Sequence, residues 1–158
     1  MTMSEVRHVA PGEGEQWWVV GDTYTFKATG RDTGGALALI EAQVPVDAGP
    51  PPHVHGKEDE FFYILEGEIE VLSGDRTIVA GPGSFVFIPR GTEHVFRNRS
   101  SGPARMLFGF TPTGFEEFFT EVGARAVAGQ AAPPLGPEEM ARMLDLAPRF
   151  GLELRLPQ

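Results

Sequence analysis

The sequence predicts an all-β domain, a sandwich or barrel of short strands followed by one or two C-terminal helices. Three observations carry that expectation. The chain holds 20 glycines and 14 prolines among 158 residues, so turns interrupt it every few positions and most of its length leaves no room for a long helix. Between the turns lie short runs rich in Val, Ile, Phe, Tyr and Thr, the composition of half-buried pleated strands. Only after residue 112 does the apolar spacing change to the three-and-four rhythm of a helix.

The elements follow in order. Residues 1–16 are polar and glycine-spaced and read as a lead-in; Gly12-Glu13-Gly14 follows no strand, which argues against a dinucleotide-binding turn. Trp17–Val20 and Tyr24–Thr29 read as strands on either side of Gly21-Asp22, Arg31–Gly35 as a turn, and Ala36–Val44 as a strand ending before Pro45. Pro50-Pro51-Pro52 fix φ near about −65° and hold their predecessors extended, so the next segment arrives on a stiff backbone. Phe61–Leu65 and Glu68–Leu72 are strands meeting at Gly67, and Ser73-Gly74-Asp75 is the next turn. Thr77–Ala80 and Phe85–Ile88 flank Gly81-Pro82-Gly83. Pro89-Arg90-Gly91 turns before the strand His94–Arg99, and Ser100–Pro103 breaks the chain before a last strand, Arg105–Thr111.

In the tail, Phe115, Phe118, Phe119 and Val122 share a helical face, and Thr113 with Glu116 has capping-box spacing. A second helix opens with Pro137 as its first residue and places Met140, Met143, Leu144 and Ala147 on one side. These Phe and Met stripes read as faces packed onto the sheet, with the lining of a ligand site as the alternative. Gly123–Pro134 reads as a mobile linker. The expected organisation is therefore a lead-in (1–16), a barrel (17–112) and a helical extension packed on it (113–158).

Composition limits the chemistry. At 41% apolar and 22% charged the chain can fill a core, and its net charge of −9 argues against nucleic acid as a partner. No cysteine is present, which removes disulfides, thiolate metal sites and thiol nucleophiles. The start Met-Thr-Met-Ser-Glu shows no secretory signal, and no apolar run approaches the roughly 20 residues of a membrane helix. A cytoplasmic location and no membrane partner are the expectations. There is no Gly-x-Ser-x-Gly elbow and no P-loop.

Three of the four histidines fall in two compact clusters. His53 and His55 are two apart on the segment stiffened by the prolines, so in extended backbone both imidazoles face one point. Glu60 follows after a turn, and His94 supplies a third imidazole from the start of another strand. Three imidazoles and one carboxylate suit one divalent first-row metal such as Fe, Mn, Ni, Cu or Zn, and argue against calcium. A lone His-x-His beside Glu58-Asp59-Glu60 would ordinarily be a solvated loop; the joint spacing is what sets it apart. Glu58 and Asp59 read as solvated charges, with orientation of an imidazole as the alternative.

That joint spacing resembles the cupin superfamily. Its first motif, His-x-His, a Glu and then a Gly, is matched by His53, His55, Glu60 and Gly67. Its second, Gly, Pro-x-Gly, His and Asn, is matched at every interval by Gly83, Pro89, Gly91, His94 and Asn98. One departure is visible: the leading Gly of the first motif should lie six before His53, whereas the nearest, Gly49, is four before. The chain is similar to single-domain, quercetin-dioxygenase-like cupins. The resemblance implies a double-stranded β-helix (jelly-roll) barrel and a metal held by His53, His55, Glu60 and His94. It also implies a homodimer, to which Trp17–Val20 would contribute.

Counting by twos from the ligands places Phe62, Ile64 and Phe96 on the inward face, with Met106, Phe108 and Phe110 as the inward set of the last strand. They would line an apolar pocket for a small molecule or fill the core. The leading functional expectation is a metal-dependent dioxygenase-like enzyme acting on a small enolic or phenolic compound. Glu60 would be a ligand or, as the resemblance to quercetinases implies, the general base. A non-catalytic small-molecule-binding cupin and a metal-assisted isomerase or hydrolase are the alternatives.

Overall fold

The structure, a computed structural model, describes residues 5–156; the reading of Met1–Ser4 lies outside them. In chain order the strands are β1 (Gln16–Val19), β2 (Asp22–Ala28), β3 (Ala38–Val44), β4 (His53–His55), β5 (Asp59–Glu66), β6 (Ile69–Ser73), β7 (Arg76–Ala80), β8 (Phe85–Ile88), β9 (Val95–Arg97), β10 (Ala104–Thr111), β11 (Ala124–Arg125) and β12 (Leu152–Leu154). Helices α1 (Gly30–Thr33), α2 (Glu116–Val122) and α3 (Pro137–Leu146) interrupt them, and Ala147–Phe150 forms a short 3₁₀ turn. No helix among the described residues is long and apolar enough to cross a membrane.

Two walls enclose the core. One is a seven-stranded antiparallel sheet in the order β11-β1-β2-β3-β10-β5-β8. The other joins β7-β6-β9 to the pair β4-β12, because His53 and His94 exchange backbone hydrogen bonds of 3.0 Å across the junction. Alternation decides what each wall buries. Ala38, Ile40, Ala42 and Val44 of β3 point inward, as do Phe62 and Ile64 of β5 and Met106, Phe108 and Phe110 of β10. Register locks these faces together, with Phe108 opposite both Phe62 and Ile40, and Phe110 opposite Glu60.

Several expectations are revised. Arg31–Gly35 is not a plain turn: Thr29 and Asp32 form a capping box that starts the single-turn helix α1. The Thr113–Glu116 box does not form. Phe115 is the N-cap of α2, and the buried Glu116 carboxylate accepts from the Gly114 N–H at 2.6 Å and the Gly30 N–H at 2.7 Å. A carboxylate read as a cap thus ties α2 to α1. Gly123–Pro134 is not all linker, since β11 at its start pairs with β1 at Trp17 and Trp18. Pro137 does open α3 as its first residue. The displaced Gly49 has a reason of its own. A Cβ there would lie 2.2 Å from the Phe96 carbonyl oxygen, so only glycine lets the chain pass β9 this closely.

The tail does more than pack. After the 3₁₀ turn, Gly151 at φ 69° redirects the chain into β12, which pairs with β4 so that Leu152 faces His55 and Leu154 faces His53. The C-terminal extension is therefore a structural partner of the strand that carries two histidines.

Candidate metal centre

The site is built from both walls. His53 and His55 project from the same face of β4, held between β12 and the His94 bridge. Glu60 reaches in from β5 on the opposite sheet. Their donor atoms, with that of His94, all lie within 4.8 Å of one another, and all four residues are buried. The Glu60 Oε1 is 2.9 Å from His94 Nε2 and 3.5 Å from His55 Nε2. Around a single first-row ion with bonds of about 2.1 Å, neighbouring donors sit roughly 3–4 Å apart, so this cluster fits such an ion after small adjustments.

Outer contacts orient two of the rings. His53 donates from Nδ1 to the Pro51 carbonyl at 2.9 Å, and His94 from Nδ1 to the Thr92 carbonyl at 3.0 Å. Each bond turns Nε2 toward the centre, the arrangement that fixes the tautomer of a metal-ligating imidazole. The third ring differs: among the described residues His55 Nδ1 has no hydrogen-bond partner, and Glu58 Oε1, also buried, has none. The solvated reading of Glu58 is thus overturned, because the residue is only 4% exposed and its burial pushes its pKa up. Asp59 does remain at the surface, where its carboxylate accepts from the Arg90 backbone N–H at 2.9 Å and from its guanidinium.

Electrostatics suit the donor set. Burial, reinforced by the neighbouring imidazoles His55 and His94, lowers the His53 pKa to about 3, so that ring is neutral near pH 7 as a ligand must be. Burial alone would raise Glu60, but the His55 and His94 rings outweigh it and hold the carboxyl well below the usual range. Burial likewise works against a charged His94, yet its bond to Glu60 lifts it above the ordinary imidazole value.

Three of the four donor residues border a cavity of about 40 Å³; His94 stands behind them, outside its lining. His53, His55 and Glu60 form one end, and aromatic and aliphatic side chains form almost all the rest. Phe96 and Phe108 line it, whereas Phe62, Ile64 and Met106 are buried in the core outside it. Phe110 also lies outside, packing its ring 5.3 Å from that of His55. The C-terminal extension supplies a lid: Phe115, Phe118 and Met143, whose stripes had ligand lining as their alternative reading, border the cavity together with Leu152 and Leu154, which the sequence spacing missed. That spacing missed Tyr24 as well; the signal was Asp22 sharing an otherwise apolar strand face with Tyr24 and Phe26. Asn98 is structural, donating to the Val44 and Gly102 carbonyls at 2.9 Å each. A larger groove of about 640 Å³, bordered by Glu15, Trp17, Arg31 and Glu117, contains none of the four donors.

A closed β barrel with three imidazoles on one wall and a carboxylate on the other defines a protein class, the double-stranded β-helix with a metal-site-like centre. The chain carries a cupin domain: residues 40–110 match the model of that family. It is 28% identical over 112 residues to quercetin 2,3-dioxygenase of Bacillus subtilis, covering 71% of this chain and 33% of that protein. It is 33% identical over 122 residues to germin-like protein 1-1 of Oryza sativa subsp. japonica, covering 68% of this chain and 52% of that one. The chain thus spans between a third and about half of the length of these curated relatives. Among solved structures, a predicted oxalate decarboxylase from Thermotoga maritima superposes with a TM-score of 0.61 at 16% identity, over 66% of this chain and 97% of that one. That likeness speaks for the fold.

Proposed function

We propose that this cupin is a metal-dependent, dioxygenase-like enzyme acting on a small enolic or phenolic compound. The observation that carries the reading is Glu60, a carboxylate held ionised by His55 and His94 at the end of a cavity otherwise almost wholly apolar. His53, His55, Glu60 and His94 would hold one divalent first-row ion. That ion would supply Lewis acidity and an open position for substrate oxygen. The residues account for the rest. The carbonyls of Pro51 and Thr92 keep two imidazoles aimed inward. Aromatic walls shield the cavity from bulk solvent, and Glu60 on its wall would take the proton of a substrate hydroxyl. The 28% identity to a quercetin dioxygenase supports the chemical class.

A second reading, a metal-anchored binding module, is favoured by the small volume of the cavity. About 40 Å³ accommodates a few waters and no aromatic ring unless the lid shifts. Oxygen-electrode assays with a panel of enolic and phenolic compounds separate the two. The enzyme reading predicts oxygen uptake that depends on metal and drops at least 100-fold in Glu60→Gln, about the contribution of one general base. Tight binding with no turnover in air would favour the module.

A further inference from the structure

The cavity wall carries polar side chains of two kinds. Of the side chains that line it, only His53, His55, Glu60 and Tyr24 carry polar groups, and the first three belong to the metal cluster. Tyr24 is the second kind. Its ring is wedged edge-on against Phe108 and Phe119, with centroids 4.9 Å and 5.0 Å away, and the residue is 2% exposed. Two residues earlier on the same face of β2 stands Asp22, fully buried, with neither carboxylate oxygen in a hydrogen bond among the described residues. The Tyr24 hydroxyl is near enough to act on that carboxyl as a hydrogen-bond partner, although no bond of full geometry forms. Burial raises the pKa of both groups, so both hold their protons to higher pH than in water. Of this buried pair only Tyr24 lines the cavity, so a hydroxyl with spare hydrogen-bonding capacity there is paired by whatever fills the cavity, with Asp22 behind it.

We propose that the Tyr24 hydroxyl, positioned by Asp22, is the second polar contact for the cavity's occupant. The occupant is then a small unsaturated ring compound with two oxygen functions, an enolic or phenolic oxygen at the metal cluster and a hydroxyl or carbonyl at its far side. An occupant lacking the far oxygen would displace water from Tyr24 and leave the hydroxyl unpaired, which gives the site a basis for discrimination. Entry requires the flexible Met143 and its neighbours in the lid to shift. The inference rests on reading His53, His55, Glu60 and His94 as a metal site.

Two pyranones test it, because they share one metal-binding enolone and differ by a single distal hydroxyl: kojic acid, which has it, and allomaltol, which lacks it. Each is titrated into the full, metal-loaded chain and followed by its absorbance change. The wild type should bind kojic acid about tenfold more tightly, the value of one neutral hydrogen bond. Tyr24→Phe should bring the ratio near one with metal content unchanged. Asp22→Leu should do the same, and Asp22→Asn, which keeps a hydrogen-bonding group of the same shape, should restore most of the preference. A merely structural role would change stability without changing this ratio. A metal-loaded wild type that binds neither compound or shows no preference overturns the proposal, as does a preference that survives in Tyr24→Phe. A chain that takes up no metal overturns both this proposal and the reading beneath it.

Discussion

Asp22 is an acid placed beyond the reach of water, and its titration should be readable in stability. Its folded pKa is raised, first by burial and then by the charge of Glu139, while the Tyr24 contact opposes the shift. The folded chain therefore holds this proton at a pH where the unfolded chain, with an aspartate near about 3.9, has lost it. The contribution to stability is present below that value and is lost as pH rises toward the folded pKa. Relative to Asp22→Asn, wild-type stability should fall as pH rises above about 4, by up to about 1.4 kcal/mol per pH unit for one proton. Urea midpoints of the two proteins measure it, and parallel curves would contradict the burial argument. His53, His55, Glu60 and His94 were legible because ligand geometry imposes spacing, two residues within a strand and fixed intervals around turns. Glu58 and Tyr24 were not, because a residue's burial depends on what another strand lays over it. In Glu58 an acidic run concealed a residue that is only 4% exposed.

At the scale of elements, β4 is the strand on which the site depends, and its neighbours are the His94 bridge and β12. A chain ended after Phe150 loses the pairing of Leu152 and Leu154 with the two histidines. Its metal content should fall well below that of the full chain while the far-ultraviolet signal of the sheets persists; unchanged metal content would show that β12 is dispensable. The lid can be tested separately. Phe118 is buried between α2 and the core and stacks on Phe115 at 5.0 Å, so Phe118→Ala should cost about 3–5 kcal/mol in denaturant unfolding. A loss below about 1 kcal/mol would mean the lid is not packed as described. Strands bounded by Gly and Pro were readable from local turn chemistry. Neither β11 nor β12 was, since two- and three-residue strands carry almost no periodicity and their partners are far away in sequence.

For the whole molecule, the two-walled barrel was readable because one periodicity governs residues 17–112 and another governs the tail. The expected self-association remains our proposal, with its place revised. Trp17–Val20 is not a free edge, because β1 lies between β2 and β11. The seven-stranded sheet ends at β8, whose Phe85 and Phe87 are 63% and 53% exposed, and that apolar edge is the one we assign to a second copy. Sedimentation should give twice the 17.2 kDa chain mass, falling toward the monomer in Phe85→Lys/Phe87→Lys; a wild-type monomer at micromolar concentration would remove the proposal. The central claim, that His53, His55, Glu60 and His94 bind one cation, is tested most directly by elemental analysis of the full chain purified without chelators. The account predicts about one first-row divalent metal per wild-type chain and well under half that in His53→Ala and His94→Ala. A folded wild type that neither carries nor takes up metal, or full occupancy in either variant, would contradict it.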